Sequence, residues 1–215
     1  MQDDKRQVYE AIAYVISAMP MDRSAESLKT FSVDILAQVH AFAVRTSPPT
    51  TAEIQDVGGG CTHCVYLPSI QLPVSDGLEN LEVMLHVVQG YGDRLPATCQ
   101  NTCEEAWAIF SPFILKYGNN FDLAERTTRV LRRGVDLFGK SLLSIAPSVI
   151  ARMSFAFEAT GFPGFLWIAG KVIGRFGYEE DPNLRGAIQE IFERSTAKVV
   201  AMLQVKSPRE LPDGW

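Results

Sequence analysis

Cysteine is scarce in this chain, four in 215 residues. That is too few for the disulfide framework of a small secreted domain, so free thiols in a reducing compartment are expected. Long hydrophobic runs are also missing. The longest, around Ala11–Met19 and Gly161–Gly170, reach about half of the ~20 residues that cross a bilayer. Glu10 interrupts the first apolar stretch before it becomes a signal-peptide core, and no membrane insertion is expected. Positive charge is not in excess: 20 Lys and Arg stand against 25 Asp and Glu, for a net charge of −5 and a pI near 5.3. Affinity for a phosphate backbone depends on neutralising positive charge, so direct nucleic-acid binding is not expected and any basic site must be local. Strand-like alternation is nearly absent. The chain has no Gly-rich phosphate loop, no H-E-x-x-H pair and no G-x-S-x-G elbow. Neither enzymatic activity nor a cofactor is expected.

Helical periodicity is what the chain has in abundance. With 47% hydrophobic residues, a chain of this length buries well over half of its unfolded surface without staples. A first helix is predicted over roughly Lys5–Ala18, with Val8, Ile12, Val15 and Ile16 on one stripe, stopping at Pro20. A second is predicted from Ser24, read as an N-cap, to about Arg45, with Leu28, Phe31, Ile35, Val39 and Phe42 apolar. Further helices follow at Leu78–Gly90, Thr102–Tyr117, Leu123–Gly139, Leu142–Ala159, Phe165–Phe176 and Pro182–Val205. Short turns between eight such helices fit either a bundle or an α-solenoid. A pairing period of about 40–45 residues favours the solenoid, because two-helix repeats of the HEAT type recur at that spacing. The fold expected is therefore all-α, a HEAT-repeat α-solenoid segment of antiparallel helix pairs in a right-handed superhelix. Residues 1–45 and 78–205 would be HEAT-like helices and 206–215 a tail. Terminal repeats normally carry polar caps. Here Met1 leads almost directly into an apolar helix and the chain ends on Trp215, so the sequence reads as part of a longer solenoid.

Residues 46–77 read as an irregular loop, with four of the twelve prolines, the run Gly58-Gly59-Gly60 and two cysteines. Cys61-Thr62-His63-Cys64 has the spacing of half a zinc knuckle. The later pair, Cys99 and Cys103, is spaced C-x₃-C and lies too far along the chain for a compact zinc module. Ordinary thiols are the expectation and no metal site is assigned. His40, His63 and His86 are dispersed.

The most informative segment runs from Glu125 to Asp136. On a helix with about 100° per residue, taking Arg126 as 0°, Arg129 falls at about 300°, Arg132 at about 240° and Arg133 at about 340°. The four guanidinium groups share one face, with Leu123, Val130, Leu131, Leu137 and Phe138 roughly opposite. A guanidinium is a planar fork matched to carboxylate or phosphate, and an ammonium is not. One reading is an acidic or phosphorylated ligand laid along this face. The other is a solvated helix surface, partly neutralised by Glu125 and Asp136, which project to the same side. Side chains tucked into internal ion pairs, or pointing to the convex exterior, would end the ligand reading.

Val8-Tyr9-Glu10-Ala11-Ile12 through Ile16-Ser17-Ala18-Met19-Pro20, the Glu125–Arg133 run, and Phe165-Leu166-Trp167-Ile168-Ala169-Gly170 followed by Phe176-Gly177-Tyr178-Glu179-Glu180 occur in that order. In this order they resemble the transportin-SR branch of the importin-β nuclear transport receptors, including the fungal messenger-RNA transport regulators. The likeness covers most of residues 5–205. It implies a middle-to-C-terminal portion of a long HEAT superhelix that carries SR-type, splicing or RNA-binding cargo proteins into the nucleus, with RanGTP releasing the cargo. It also implies shuttling between cytoplasm and nucleus, a Ran GTPase site outside this segment, and nucleoporins as further partners. An arginine-rich helix of the animal relatives contacts the arginine/serine-rich region of cargo, through the concave face. Arg126, Arg129 and Arg132 match that helix by position, and Arg133 stands where the animal pattern has an apolar residue. A HEAT-repeat scaffold with no transport role is the alternative.

Residues 59–75 match nothing in that family. Deleting them would join Asp56-Val57-Gly58 to Asp76-Gly77-Leu78 and restore a family-like turn. The segment is expected to be a translated intron or a gene-model error. Transcripts running through codons 59–75 in most mature messages would sink that expectation.

Overall fold

The computed structural model describes residues 2–54, 73–88 and 99–205. Helices α1 (Gln2–Ser17), α2 (Met21–Val44), α3 (Thr51–Ile54), α4 (Val74–Val88) and α5 (Cys99–Tyr117) come first. Then come α6 (Phe121–Phe138), a 3₁₀ turn (Gly139–Ile145), α7 (Ala146–Thr160), α8 (Pro163–Phe176) and α9 (Pro182–Val205). No strand occurs among the described residues. Two layers result from the packing. One runs α1–α4–α6–α8 and the other α2–α5–α7–α9, so consecutive long helices alternate between layers. Within the layers α1 packs on α4, α4 on α6, α2 on α5 and α7 on α9, while α8 leans chiefly on α7 across the layers and the 3₁₀ turn fills in against α5. This is the all-α helical-repeat solenoid that the 40–45-residue period predicts.

Local chemistry sets the ends. Asn120 caps α6, its side chain accepting from Leu123 N at 3.1 Å, and Asp181 caps α9 through Asn183 N at 2.7 Å. At the C-terminus of α2, Lys116 of α5 donates to the carbonyls of Phe42 at 3.1 Å, Ala43 at 3.3 Å and Arg45. A cation there satisfies orphan carbonyls and complements the helix dipole. Tyr117 Oη donates to Phe42 O as well, at 3.1 Å, so α5 is tied to the end of α2.

Several expected boundaries move, each for a physical reason. Ser24 is not an N-cap. Pro20 takes that position in an extended conformation (φ −56°, ψ 147°), and Ser24 is buried one turn inside, its N–H bonded to Pro20 O at 2.8 Å. The helix expected from Leu142 begins at Ala146, because Pro147 is tolerated only in the first turn, where no backbone donor is needed. The preceding residues form the 3₁₀ turn instead. Within the expected loop 46–77, Thr50 and Glu53 form a reciprocal capping box for α3. Thr50 N donates to Glu53 Oε2 at 2.7 Å, and Glu53 N to Thr50 Oγ1 at 3.4 Å. Helix α4 starts at Val74 rather than Leu78, and Val74, Ser75, Asp76 and Gly77 are buried in its first turn. Most of the proposed insert 59–75, with Cys61, His63 and Cys64, lies outside the described residues. Its last two members, Val74 and Ser75, belong to this packed turn.

The core runs continuously between the layers, and its largest fully buried side chains include Phe113, Phe157, Phe165, Leu123, Leu137 and Met153. Burying each contributes about 1.5–3 kcal/mol. Two predicted stripes need rotation. Among the described side chains of α1 the buried ones are Ala13 and Ile16, whereas Val8 and Val15 are exposed; on α2, Phe31 is exposed while Leu28, Ile35, Val39 and Phe42 are buried. The stretch Phe121–Thr160 contains a window long and apolar enough, by composition, to cross a membrane. Here it is two helices broken by the 3₁₀ turn, with Leu137, Ile150, Met153 and Phe157 in the core.

Candidate ligand-binding face

Helix α6 lies between α4 and α8 in its layer. Its apolar side, with Leu123, Val130, Val135 and Leu137, faces the core, which leaves the arginine side to meet the two neighbours. Arg126 Nη1 sits 2.6 Å from Glu79 Oε2 of α4. The other oxygen of Glu79 lies 3.8 Å from Arg6 of α1, so one carboxylate bridges three helices. Glu82, one turn further along α4, takes Arg133 Nε at 3.5 Å and Arg132 Nη2 at 3.8 Å. The Arg132 guanidinium lies over the Trp167 ring of α8, 4.6 Å from its centroid. Arg129 pairs within α6, 2.5 Å from Glu125. The Nε atoms of Arg132 and Arg133 are buried and make no hydrogen bond among the described residues.

All four predicted arginines therefore lie on one face, and all four are engaged. Internal pairing was the condition set against a ligand role, and it is met most fully by Arg126. Of the two carboxylates expected to neutralise the face from within α6, Glu125 does so, and Asp136 turns to Lys171 of α8 at 2.5 Å. Sequence reasoning missed Glu79, Glu82 and Trp167. The i, i+3 spacing of Glu79 and Glu82 was visible, but which helix would stand beside α6, and in what register, was not.

The pairs are nonetheless uneven. Among the described residues, six cations (Arg6, Arg126, Arg129, Arg132, Arg133 and Lys171) share four carboxylates (Glu79, Glu82, Glu125 and Asp136). Two of the contacts exceed 3.5 Å without hydrogen-bond geometry, and the Arg129 side chain is 51% exposed. Pairs with an exposed arginine, Arg129–Glu125 and Arg6–Glu79, contribute little, typically about 0–1 kcal/mol, and yield to a stronger anion. Chemically the face is a set of planar donors held in place by a tryptophan and by shared counter-ions.

Elsewhere the chemistry is quiet. Cys99 and Cys103 are buried free thiols on α5. Burial raises both above the usual thiol range, Cys103 to about 12, with Cys99 and Glu104 adding to that rise. No cluster of His, Cys, Asp or Glu suited to a metal occurs among the described residues. His40 and His86 are both exposed, on α2 and α4. On the apolar side of α6 an open cavity of about 360 Å³ lies among α2, α5 and α6, lined by residues such as Leu28, Leu36, Cys103, Ile109 and Val130. The Lys29–Glu105 pair belongs to its lining.

Helical-repeat solenoids, as a class, present extended surfaces suited to binding. Residues 97–203, which include α6, match the family described as the Transportin-3/Importin-13 fourth TPR domain. This match, covering just under half of the chain, supports an importin-β/transportin-type family, whose domains are transport-receptor helical repeats rather than a known enzyme class. Across 98% of its length the chain is also similar, at 21% identity, to an uncharacterized protein of Schizosaccharomyces pombe (strain 972), of which it spans 20%.

Proposed function

We propose that this chain is a segment of a nuclear import receptor of the importin-β/transportin type. On this reading the arginine face of α6 receives arginine/serine-rich cargo, SR-type splicing or RNA-binding proteins, in a phosphorylated state. The observation that carries the reading is the face of α6, a helix inside the stretch similar to the transportin/importin domain, where among the described residues four arginines share three carboxylates, two of them from α4. Phosphoserine brings about −1.5 to −2 charges and three acceptor oxygens, which guanidinium forks bind bidentately. Release by RanGTP, contacts with nucleoporins and shuttling between cytoplasm and nucleus would belong to a full-length receptor. The end helices support a segment stacked on further repeats, since α1 exposes Val8, Tyr14 and Val15, and α9 exposes Phe192, Val200 and Leu203.

Titration with a fluorescent phospho-RS peptide tests the reading. Salt-sensitive binding is expected, with the triple variant Arg126→Ala/Arg129→Ala/Arg132→Ala losing roughly tenfold or more in affinity, since charged hydrogen bonds count for more than exposed pairs. Unchanged affinity in the triple variant rejects the role given to α6.

A second reading, a helical scaffold without a transport role, is favoured by one observation: Arg126 and Arg132 tie α6 to α4 and α8. There the triple variant would lose stability and leave peptide binding as it was.

A further inference from the structure

Resting on the cargo reading above, we propose that Glu79 and Glu82 of α4 act as resident stand-ins for the ligand's anions, which a phosphorylated segment must displace. The geometry has three parts. Glu79 sits between two arginines from different helices, 2.6 Å from Arg126 and 3.8 Å from Arg6. Glu82 lies against a second arginine pair, at 3.5 and 3.8 Å, too long for strong bonds. Trp167 gives the Arg132 guanidinium a second support that does not involve Glu82, its ring centroid 4.6 Å away. The cations are thus prearranged by packing while their partners are shared and partly loose. That suits exchange of one anion for another better than a permanent lock.

The exchange has a built-in threshold. A ligand carboxylate replacing a glutamate swaps one single charge for another, so nothing drives the swap forward. A phosphoserine brings nearly twice the charge and three oxygens, enough to serve two arginines at once. The two glutamates therefore make the face selective for phosphate over carboxylate, at some loss of absolute affinity. Because the Glu79 contact is the tight one, removing Glu79 should matter more than removing Glu82.

The test uses the 215-residue chain with Glu79→Gln, Glu82→Gln and the double variant. Each is titrated by anisotropy with a multiply phosphorylated RS peptide and with the same peptide carrying glutamate at the phosphoserine positions. Each single variant should bind the phosphopeptide roughly two- to fivefold tighter, Glu79→Gln more so than Glu82→Gln. The glutamate peptide should gain more than the phosphopeptide does, so discrimination narrows. Circular dichroism establishes that each variant is folded, and the single variants carry the test if the double one is not. Unchanged or weaker phosphopeptide binding by both single variants overturns the proposal while the cargo reading survives, provided the triple arginine variant still loses binding. If the triple arginine variant binds like the parent, the cargo reading and this proposal fall together.

Discussion

Replacing Arg132 by alanine separates what its side chain does for the fold from what it does for a ligand. Three stabilising contacts are lost. The guanidinium over Trp167, 4.6 Å from the ring centroid on a half-exposed tryptophan, is a cation–π contact of about 0.5–1 kcal/mol. The 3.8 Å approach to Glu82, between side chains only 26% and 18% exposed, is a long, partly buried contact without hydrogen-bond geometry, of at most about 1 kcal/mol. The side chain is only 26% exposed, so removing its aliphatic stem forfeits burial of roughly 0.5–1 kcal/mol. Two features limit the loss. Arg133 remains 3.5 Å from Glu82, so no carboxylate is orphaned, and the buried Nε without a hydrogen-bond partner is removed together with the side chain. A net loss of about 1–2 kcal/mol is expected. At roughly 2–4 °C per kcal/mol for a chain of this size, Tm should fall by about 2–8 °C. Arg132→Lys keeps the charge and loses the planar stack, and should recover less than half of the loss. Urea unfolding followed by circular dichroism gives the free energies, with m held constant as the check on two-state behaviour. A change below about 0.5 kcal/mol would mean that the guanidinium does not rest on Trp167. A change above about 3 kcal/mol would mean a buried charge left unpaired, against the sharing of Glu82 by two arginines.

Gly161 ends α7 at φ +71°, with its N–H bonded to Phe157 O at 2.7 Å, and a Cβ there would meet Met202 at 3.3 Å. Gly161→Ala should therefore cost about 1–2 kcal/mol in the same unfolding assay, and a neutral result would mean the left-handed cap is not formed. Cys103, its thiol pushed up to about 12 mainly by burial, is neutral at pH 8 and a neutral thiol is a poor nucleophile. With the folded value raised, this contribution to stability is present below the unfolded thiol range and is lost as pH climbs toward 12. Site-resolved iodoacetamide labelling at pH 8 should modify Cys103 only in denaturant, and rapid labelling of the native protein would contradict its burial.

Much of the architecture was legible along the chain. The helix expected from Leu78 does bury an apolar stripe, Leu81, Met84, Leu85 and Val88 of α4, because apolar spacing of three and four leaves a helix one way to hide them. The same logic misplaced the stripe of α1. Val8 and Val15 are as apolar as Ile16, and only the position of α4 against α1 decides which of them is covered. Proline was read correctly as a stop at Pro20 and missed as a start at Pro147, since its effect depends on which turn of the helix it occupies.

The arginine face divides in the same way. Its composition, its helical register and its separation from Leu123, Val130 and Leu137 follow from the sequence, because 100° per residue fixes directions within one helix. Which charges meet across helices does not follow, because it depends on the lateral order α4–α6–α8 and on the offset between neighbours. Glu79 and Glu82 lie 47 or more positions before the α6 arginines they meet, Arg126 for Glu79 and Arg132 and Arg133 for Glu82. Local periodicity alone placed four guanidinium groups together; packing of the adjoining helices gave them carboxylates to share and a tryptophan to rest on.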